Sequence, residues 1–252
     1  MRFWIAWQFL TIIPSPRRRE YGAEDLGKAI SFFPVVGLFL GLVLFGLDLL
    51  LGSFLPSILI NVLLVIALVI LTGALHLDGF IDTCDGLSVK SSVSDKLKVM
   101  SDSRVGGFGV VGGCCLVLAK FASLVALPQQ LRSSALILMP ILSRWGMVCA
   151  ISVFPLAKKE GLGWTVKQEA SWKGMAVATV FSLIVALVLL KWWGAALLVA
   201  LGLILLVVSK YLCSRFGGLT GDTYGAINEF AEVVVLILML LIGELGGASW
   251  LG

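Results

Sequence analysis

Charged residues are scarce in this sequence. Only 13% of its 252 residues are Asp, Glu, Lys or Arg, whereas 59% are hydrophobic, and the mean hydropathy is +1.04. Soluble domains usually carry about 25% charged residues, so this balance predicts a polytopic membrane protein. The net charge of +4 is small and scattered, which argues against a nucleic-acid partner and fits basic loops on one side of a membrane.

Cysteine-based zinc and redox motifs are also missing. The chain has one histidine, His76, and its five cysteines form no CxxC pair and have no histidine at zinc spacing. We therefore interpret the cysteines as small apolar core residues. We expect no cleavable signal peptide, because the first apolar run is interrupted by Gln8 and ends at Pro14 without a small-residue cleavage site.

Long apolar runs make up most of the chain. They predict an all-α bundle of about six or seven transmembrane helices, in a single integral membrane domain over residues 1–252. Residues 1–13 are rich in Trp and Phe, so an interfacial segment is expected within residues 1–28. An amphipathic helix is expected around 95–100. The predicted spans are 33–51, 58–75, 107–127, 134–154, 175–190, 195–208 and 226–242.

Basic residues are unevenly distributed between the loops. With a cytoplasmic N-terminus, one side of the membrane receives fifteen of the 19 Lys and Arg residues, and the other receives only Arg132 and Lys191. The positive-inside rule then places the N-terminus and two polar glycine-rich loops, 76–109 and 217–225, in the cytoplasm. The predicted location is the cytoplasmic (inner) membrane. Lys158 and Lys159 are interpreted as topology signals only.

Three aspartates recur at helical spacing in the first of these loops. On a helix, Asp78, Asp82 and Asp85 fall within about 60° of one another. Without a cation the three carboxylates would repel each other, so their spacing predicts a site for a hard metal, with Mg²⁺ as the first choice. Gly79 and Gly86 share a neighbouring face, where a phosphate or a second helix could approach the backbone.

Two cations fall inside predicted spans. An ionised side chain near mid-bilayer costs about 2.5 to 3.5 kcal/mol, so Lys120 and Arg144 need partners. We expect them to face a polar cavity and bind an anionic substrate. The alternative is an interfacial position or a structural pairing with Asp48. His76 could bind phosphate or carry a proton, or it could simply lie at the interface.

Further polar candidates allow two interpretations each. Asp102 and Arg104 could cap the helix that begins near Gly107, or they could bind metal and phosphate. Thr220, Gly221 and Asp222 could form an ordinary turn. Because Glu229 and Glu232 follow one helical turn apart, a second acidic site is the favoured interpretation.

Several stretches resemble the cobalamin-5′-phosphate synthase family, also called adenosylcobinamide-GDP ribazoletransferase. The resemblance covers nearly the whole chain, and the motifs are specific and occur in the family's order. They are FLTIIPSP at 9–16, FPVVG at 33–37, HLDGFIDTCDG at 76–86, MSDSRVG at 100–106 with Gly109, and GGLTGD at 217–222 with Gly225 and Ala226.

The resemblance implies a late step of cobalamin synthesis. An Mg²⁺-dependent transferase of this family joins adenosylcobinamide-GDP to α-ribazole or its 5′-phosphate, releases GMP, and forms adenosylcobalamin or its 5′-phosphate. The expected partners are these substrates and membrane lipid, and a homo-oligomer is an open alternative.

Site residues are assigned from the motifs and the resemblance together. The expected metal ligands are Asp78, Asp82 and Asp85. The expected catalytic residues are His76, Asp82, Asp85 and Asp102. The expected substrate-binding residues are Gly79, Gly86, Arg104, Gly106, Gly109, Lys120, Arg144, Gly218, Thr220, Gly221, Asp222 and Glu232.

Two other functions compete with this one. A CDP-alcohol phosphotransferase of lipid synthesis has Ala-Arg where this chain has Asp82-Thr83, and its later Gly-x3-Asp-x3-Asp is missing here. A secondary transporter could use Lys120, Arg144 and the Asp row for ion coupling. No convincing internal repeat is present, however, and the Asp row lies at a membrane face, which favours an enzyme.

Overall fold

The computed structural model describes residues 1–16, 20–158 and 162–246. Arg17, Arg18, Arg19 and Lys159, which contribute to the charge asymmetry, lie outside the described residues. Within those ranges the chain forms twelve α-helices and no strand. A 3-10 turn, Ile30–Phe32, joins the second helix to the third. The helices are α1 Arg2–Leu10, α2 Ala23–Ala29, α3 Phe33–Gly52, α4 Ser57–Leu71, α5 Leu75–Ser88, α6 Val93–Met100, α7 Gly107–Ala126, α8 Gln129–Val153, α9 Leu162–Glu169, α10 Trp172–Leu190, α11 Trp192–Phe216 and α12 Gly221–Gly246.

Six helical segments are long and apolar enough to cross a membrane. They are α2 with α3, then α7, α8, α10, α11 and α12, and the bent pair of α4 and α5 raises the number to seven if it is counted as one span. The prediction of an all-α, multi-pass membrane bundle is therefore confirmed. Helices α8 and α12 are its most buried spans and form its centre.

The second predicted span, 58–75, is wrong at its end. Helix α4 stops at Leu71, and the chain turns through Gly73 and Ala74, whose φ angles are +62° and +57°. Helix α5 then leaves at 91° to α4. The acidic helix therefore does not continue the span, and it lies across the bundle at the end of α4.

Two other predicted boundaries also differ from the structure, and one helix lacks a prediction. The glycine-rich loop predicted at 217–225 is shorter, because α12 already begins at Gly221. Helix α11 extends to Phe216, about two turns beyond the predicted span. Helix α9 was not predicted, although Lys167 on it donates hydrogen bonds of 2.7 Å to the carbonyls of Ile151 and Ser152 at the end of α8.

Side-chain contacts divide the bundle into two ends. At one end, here called the acidic end, α5 meets the first turns of α7 and α12. At the opposite end, here called the far end, Arg132 of α8 bonds to Asp48 of α3 at 2.7 Å and to Asn61 of α4 at 2.7 Å. Each of these buried polar contacts joins helices that are remote in sequence, so they fix which helix ends lie together.

Candidate functional site

Glycines allow α5 to approach α12 closely. A Cβ atom at Gly79 would lie 2.7 Å from the backbone oxygen of Asp222, and one at Gly225 would lie 3.0 Å from the backbone oxygen of His76. The sequence allowed either a phosphate or a second helix to approach the glycine face. At Gly79 the structure shows the second helix, α12. At Gly86 a Cβ would instead meet side chains of α6 and α11.

The predicted row of aspartates runs from the surface into the bundle. Asp78 is exposed, Asp82 is partly buried and Asp85 is buried. Partial burial, together with the negative charges of Asp78, Asp222 and Asp85, raises the pKa of the Asp82 carboxyl to about 6. Asp222 at the start of α12 therefore belongs electrostatically to the same acidic site.

Asp85 has a structural partner that its spacing did not reveal. Its two carboxylate oxygens accept hydrogen bonds of 2.7 Å from the backbone N–H groups of Gly106 and Gly109. A Cβ at either glycine would overlap this carboxylate, so Gly106 and Gly109 are required for the contact. Asp85 thus caps the N-terminus of α7 from another helix, where a negative charge is favourable.

A divalent metal fits Asp78, Asp82 and Asp222 better than the predicted set of Asp78, Asp82 and Asp85. No group of three His, Cys, Asp or Glu side chains among residues 1–16, 20–158 and 162–246 is already arranged around a metal position. Asp78 and Asp82 nevertheless offer hard oxygen donors close to Asp222, and their mutual repulsion is relieved by a cation. The assignment of Mg²⁺ to Asp78, Asp82 and Asp85 stays a prediction, and the hydrogen bonds of Asp85 make Asp222 the better third ligand.

The interpretation of Asp102 as a helix cap is wrong. Its carboxylate accepts hydrogen bonds from Arg104 Nε at 3.1 Å and Nη2 at 2.8 Å, and this contact lowers the pKa of Asp102 to about 2. Asp85 supplies the cap of α7 instead. The Arg104 side chain is 88% exposed, so it can still meet an anionic substrate from solvent.

The cations inside the membrane have anionic partners. Lys120 Nζ donates to Oε2 of Glu229 and to Oε2 of Glu232, at 2.5 Å each, and Arg144 Nη1 donates to Glu232 and to Ser143. We call Lys120, Arg144, Glu229 and Glu232 the buried ion cluster. Its two positive and two negative charges balance, and none of the four side chains is more than 6% exposed.

The buried ion cluster corrects two sequence-based interpretations. Neither cation pairs with Asp48, which instead binds Arg132 at the far end. Glu229 and Glu232 do not form a separate acidic site, because they neutralise Lys120 and Arg144. The assignment of Lys120, Arg144 and Glu232 to substrate binding stays a prediction, and their enclosure favours a structural role.

The second glycine-rich segment builds the start of α12. The Thr220 N–H donates to Thr223 Oγ1 at 2.7 Å, and the Thr223 N–H donates to Thr220 Oγ1 at 3.2 Å, a reciprocal cap of the first turn. Gly218 has φ +147° and meets the backbone of Leu156 so closely that a Cβ would overlap it. Gly221 is exposed and has open space around its Cβ position.

A cavity of about 320 Å³ adjoins the acidic site, and we call it the α5–α12 cavity. Its polar lining residues are His76, Asp78, Asp222 and Tyr224. Tyr224 and the apolar wall were missed by sequence reasoning, because residues on separate helices form no motif before the chain folds. The sequence signal that could have identified Tyr224 as a site residue was its position two residues after Asp222.

Lys158 is more than a topology signal. Lys158 lies beside Asp222 in a smaller cavity of about 160 Å³, together with Ser101 and Thr220. Its positive charge acts on the Asp222 carboxylate. Lys158 is therefore part of the electrostatic environment of the acidic site, in addition to contributing to the charge asymmetry.

Together these features define a polytopic membrane protein with an acidic site and an adjoining cavity at one end of its helix bundle. Comparison with known proteins gives the family. Residues 2–240 match the family described as cobalamin-5-phosphate synthase. The chain is 37% identical over 241 residues to the adenosylcobinamide-GDP ribazoletransferase of Geotalea daltonii, with 96% of this chain and 97% of the relative covered.

A second relative carries the same name. The adenosylcobinamide-GDP ribazoletransferase of Desulforamulus reducens is 36% identical over 238 residues, with 94% of this chain and 95% of the relative covered. The chain belongs to the cobalamin-5-phosphate synthase family. This confirms the resemblance found in the sequence over the lipid-enzyme and transporter alternatives. No solved structure matches the chain.

Proposed function

We propose that the chain joins adenosylcobinamide-GDP to α-ribazole, or to its 5′-phosphate, with release of GMP. The observation that carries this proposal is the meeting of Asp78 and Asp82 on α5 with Asp222 on α12 beside a cavity large enough for part of a substrate. Carboxylates that hold a divalent cation beside a ligand cavity suit the handling of a diphosphate, and the relatives carry the name of this reaction.

The chemistry is a substitution at phosphorus. A ribose hydroxyl of the ribazole attacks the phosphorus attached to cobinamide, the bond to the bridging diphosphate oxygen breaks, and GMP leaves with that oxygen. The hydroxyl proton must pass to a base. Asp82 is the best placed of the predicted bases, because both oxygens of Asp85 already accept amide hydrogen bonds and Asp102 binds Arg104.

Asp78, Asp82 and Asp222 would hold Mg²⁺. When bound, such an ion supplies Lewis-acid stabilisation of phosphate charge and a template for the two substrates. The residues of the chain itself supply the rest of the site. Lys158 carries positive charge beside it, Arg104 is exposed to solvent, and the packing of Gly79 against Asp222 holds the two acidic helices together.

The acidic end is proposed to face the cytoplasm, in the cytoplasmic membrane. The support is the distribution of basic residues, since Lys90, Lys96, Lys158, Lys167 and Arg215 all lie at this end of the described bundle. Such enrichment is typical of cytoplasmic loops, and nucleotide substrates and Mg²⁺ are found on that side.

The proposal is tested with purified protein in detergent. Adenosylcobinamide-GDP and α-ribazole are supplied with Mg²⁺ or with a chelator, and GMP and corrinoid products are separated by chromatography. We expect stoichiometric GMP and cobalamin only with the metal. Asp82→Asn should lower product formation by orders of magnitude. Asp95→Asn is its matched control, because Asp95 lies on α6 and bonds to Ser91 and Ser92 just before that helix, outside the acidic site. No product from the parent protein with both substrates and Mg²⁺ would refute the proposed function.

A further inference from the structure

The α5–α12 cavity has one polar side and one apolar side. His76, Asp78, Asp222 and Tyr224 form the polar side, which is shared with the acidic site. The apolar wall comes from five other helices, α1, α2, α3, α8 and α9, and includes Phe9, Phe33, Met147 and Ile151. Its volume of about 320 Å³ lies at the lower end of the range for small-molecule sites, about 300 to 1,000 Å³.

Two buried polar atoms at this cavity lack a hydrogen-bond partner among the described residues. They are Nε2 of His76 and the hydroxyl oxygen of Tyr224. The two residues are only 2% and 7% exposed. Buried polar groups without partners are costly and uncommon, and here both belong to residues that line the same cavity.

The cavity discriminates between the chemical groups of the two proposed substrates. A corrin ring is far too large for it. Guanine carries hydrogen-bonding atoms around most of its edge, and those that face the apolar wall, away from Asp78 and Asp222, would be left unpaired. The base of α-ribazole is a flat, mostly apolar two-ring aromatic, for which such a wall is suited.

We propose that the α5–α12 cavity binds the aromatic base of the ribazole substrate, with Tyr224 and His76 bonding to polar atoms of this nucleoside. The inference rests on the proposed function and extends it. A base seated against Phe33, Met147 and Ile151 places its ribose at the polar side, next to Asp78 and Asp222. The attacking hydroxyl is then delivered to the carboxylates, and the residues of the wall determine which bases are accepted.

The experiment compares two nucleosides that differ only in size. α-Ribazole carries two ring methyl groups, and its benzimidazole analogue lacks them. Ile151→Phe narrows the cavity, so we expect the ratio of kcat/KM for α-ribazole over the analogue to fall at least about tenfold, which is the discrimination expected for one or two methyl groups. The KM for adenosylcobinamide-GDP should stay within about twofold of the parent value, because its site is untouched.

A second variant tests the polar side without changing its volume. Tyr224→Phe should weaken α-ribazole binding about threefold to tenfold, the value of one hydrogen bond, measured by titration calorimetry in detergent. Tyr211→Phe is the matched control, since Tyr211 is 48% exposed on α11 and outside the cavity. Melting curves verify that each variant is folded.

The outcomes separate the two proposals. If the parent protein makes no cobalamin product, the proposed function is wrong. If the parent is active but Ile151→Phe leaves the nucleoside ratio unchanged, or Tyr224→Phe leaves α-ribazole binding unchanged, the assignment of the cavity is overturned while the function stands. A rise in the KM of adenosylcobinamide-GDP alone would assign the cavity to the other substrate and would equally overturn the inference.

Discussion

Loss of the Glu232 charge provides the sharpest test of the buried ion cluster. Glu232 is fully buried between Lys120 and Arg144 and bonds to both. Glu232→Gln keeps the size of the side chain but removes the charge. Lys120 then retains the carboxylate of Glu229, whereas Arg144 loses the carboxylate it bonds to and keeps only neutral acceptors such as the hydroxyl of Ser143. The substitution therefore leaves one net positive charge inside the bundle.

The expected magnitude follows from this imbalance. Removing one partner of a buried ion pair costs about 3 to 5 kcal/mol. For a chain of this length each kcal/mol lowers the midpoint of thermal unfolding by about 2 to 4 °C, so the Tm of Glu232→Gln should fall by roughly 6 to 20 °C. Glu229→Gln should lower the Tm less, because Glu232 remains in contact with both cations.

The assay is thermal unfolding of tagged protein in one detergent. Fluorescence size-exclusion chromatography measures the folded fraction that remains after heating at each temperature. The double variant Arg144→Gln with Glu232→Gln removes one charge of each sign, so it should recover part of the lost Tm. Michaelis constants are measured alongside. A Tm within about 2 °C of the parent, together with a raised KM for adenosylcobinamide-GDP, would refute the structural interpretation and assign the cluster to substrate binding.

Four further predictions concern the acidic end. Asp82→Asn should lower turnover by orders of magnitude without lowering the Tm, because it removes a charge needed in the transition state and relieves like-charge repulsion. Asp85→Asn should also lower the Tm by several degrees, because an amide has one acceptor oxygen for two backbone N–H groups; equal Tm values for the two variants would contradict this difference. Gly79→Ala should reduce both Tm and turnover, since its methyl would meet the backbone of α12, whereas Gly46→Ala, with nothing within 4 Å, should affect neither. A cysteine placed at Ser94 in a cysteine-free background should be labelled only from the cytoplasm, and labelling from the other side would reverse the proposed orientation.

Much of the helix inventory could be predicted from the sequence. Spans of apolar residues define long helices with little ambiguity, and the predictions for α3 and α7 agree with the structure within one residue. The bend after Leu71 could not be predicted from hydropathy, because 58–75 is almost uninterrupted aliphatic sequence. Ala74 gives no signal of its positive φ, although Gly73 before it is a residue that favours one. Helix α9 is only eight residues long and mixes apolar with polar residues, so it has no span-like signal.

The sequence predicted which residues form the site, but it did not predict which groups those residues contact. The spacing of Asp78, Asp82 and Asp85 identifies one helix face, but it cannot show that Asp85 reaches the amides of α7, since that contact depends on a helix more than twenty residues away. The same limit applies to charge pairing. Lys120 and Arg144 clearly needed anions, but the sequence offered several acidic residues and no distance by which to choose among them.

The packing of α5 restricts how this chain can change in length. Gly79 contacts α12, Asp85 contacts α7 and Gly86 contacts α6 and α11, so each side of this 14-residue helix is matched to a different neighbour. One residue inserted between Gly79 and Asp85 would rotate the rest of the helix by about 100° and advance it by about 1.5 Å. Insertions and deletions should therefore be excluded from α5 and be tolerated in the exposed connection at 89–92.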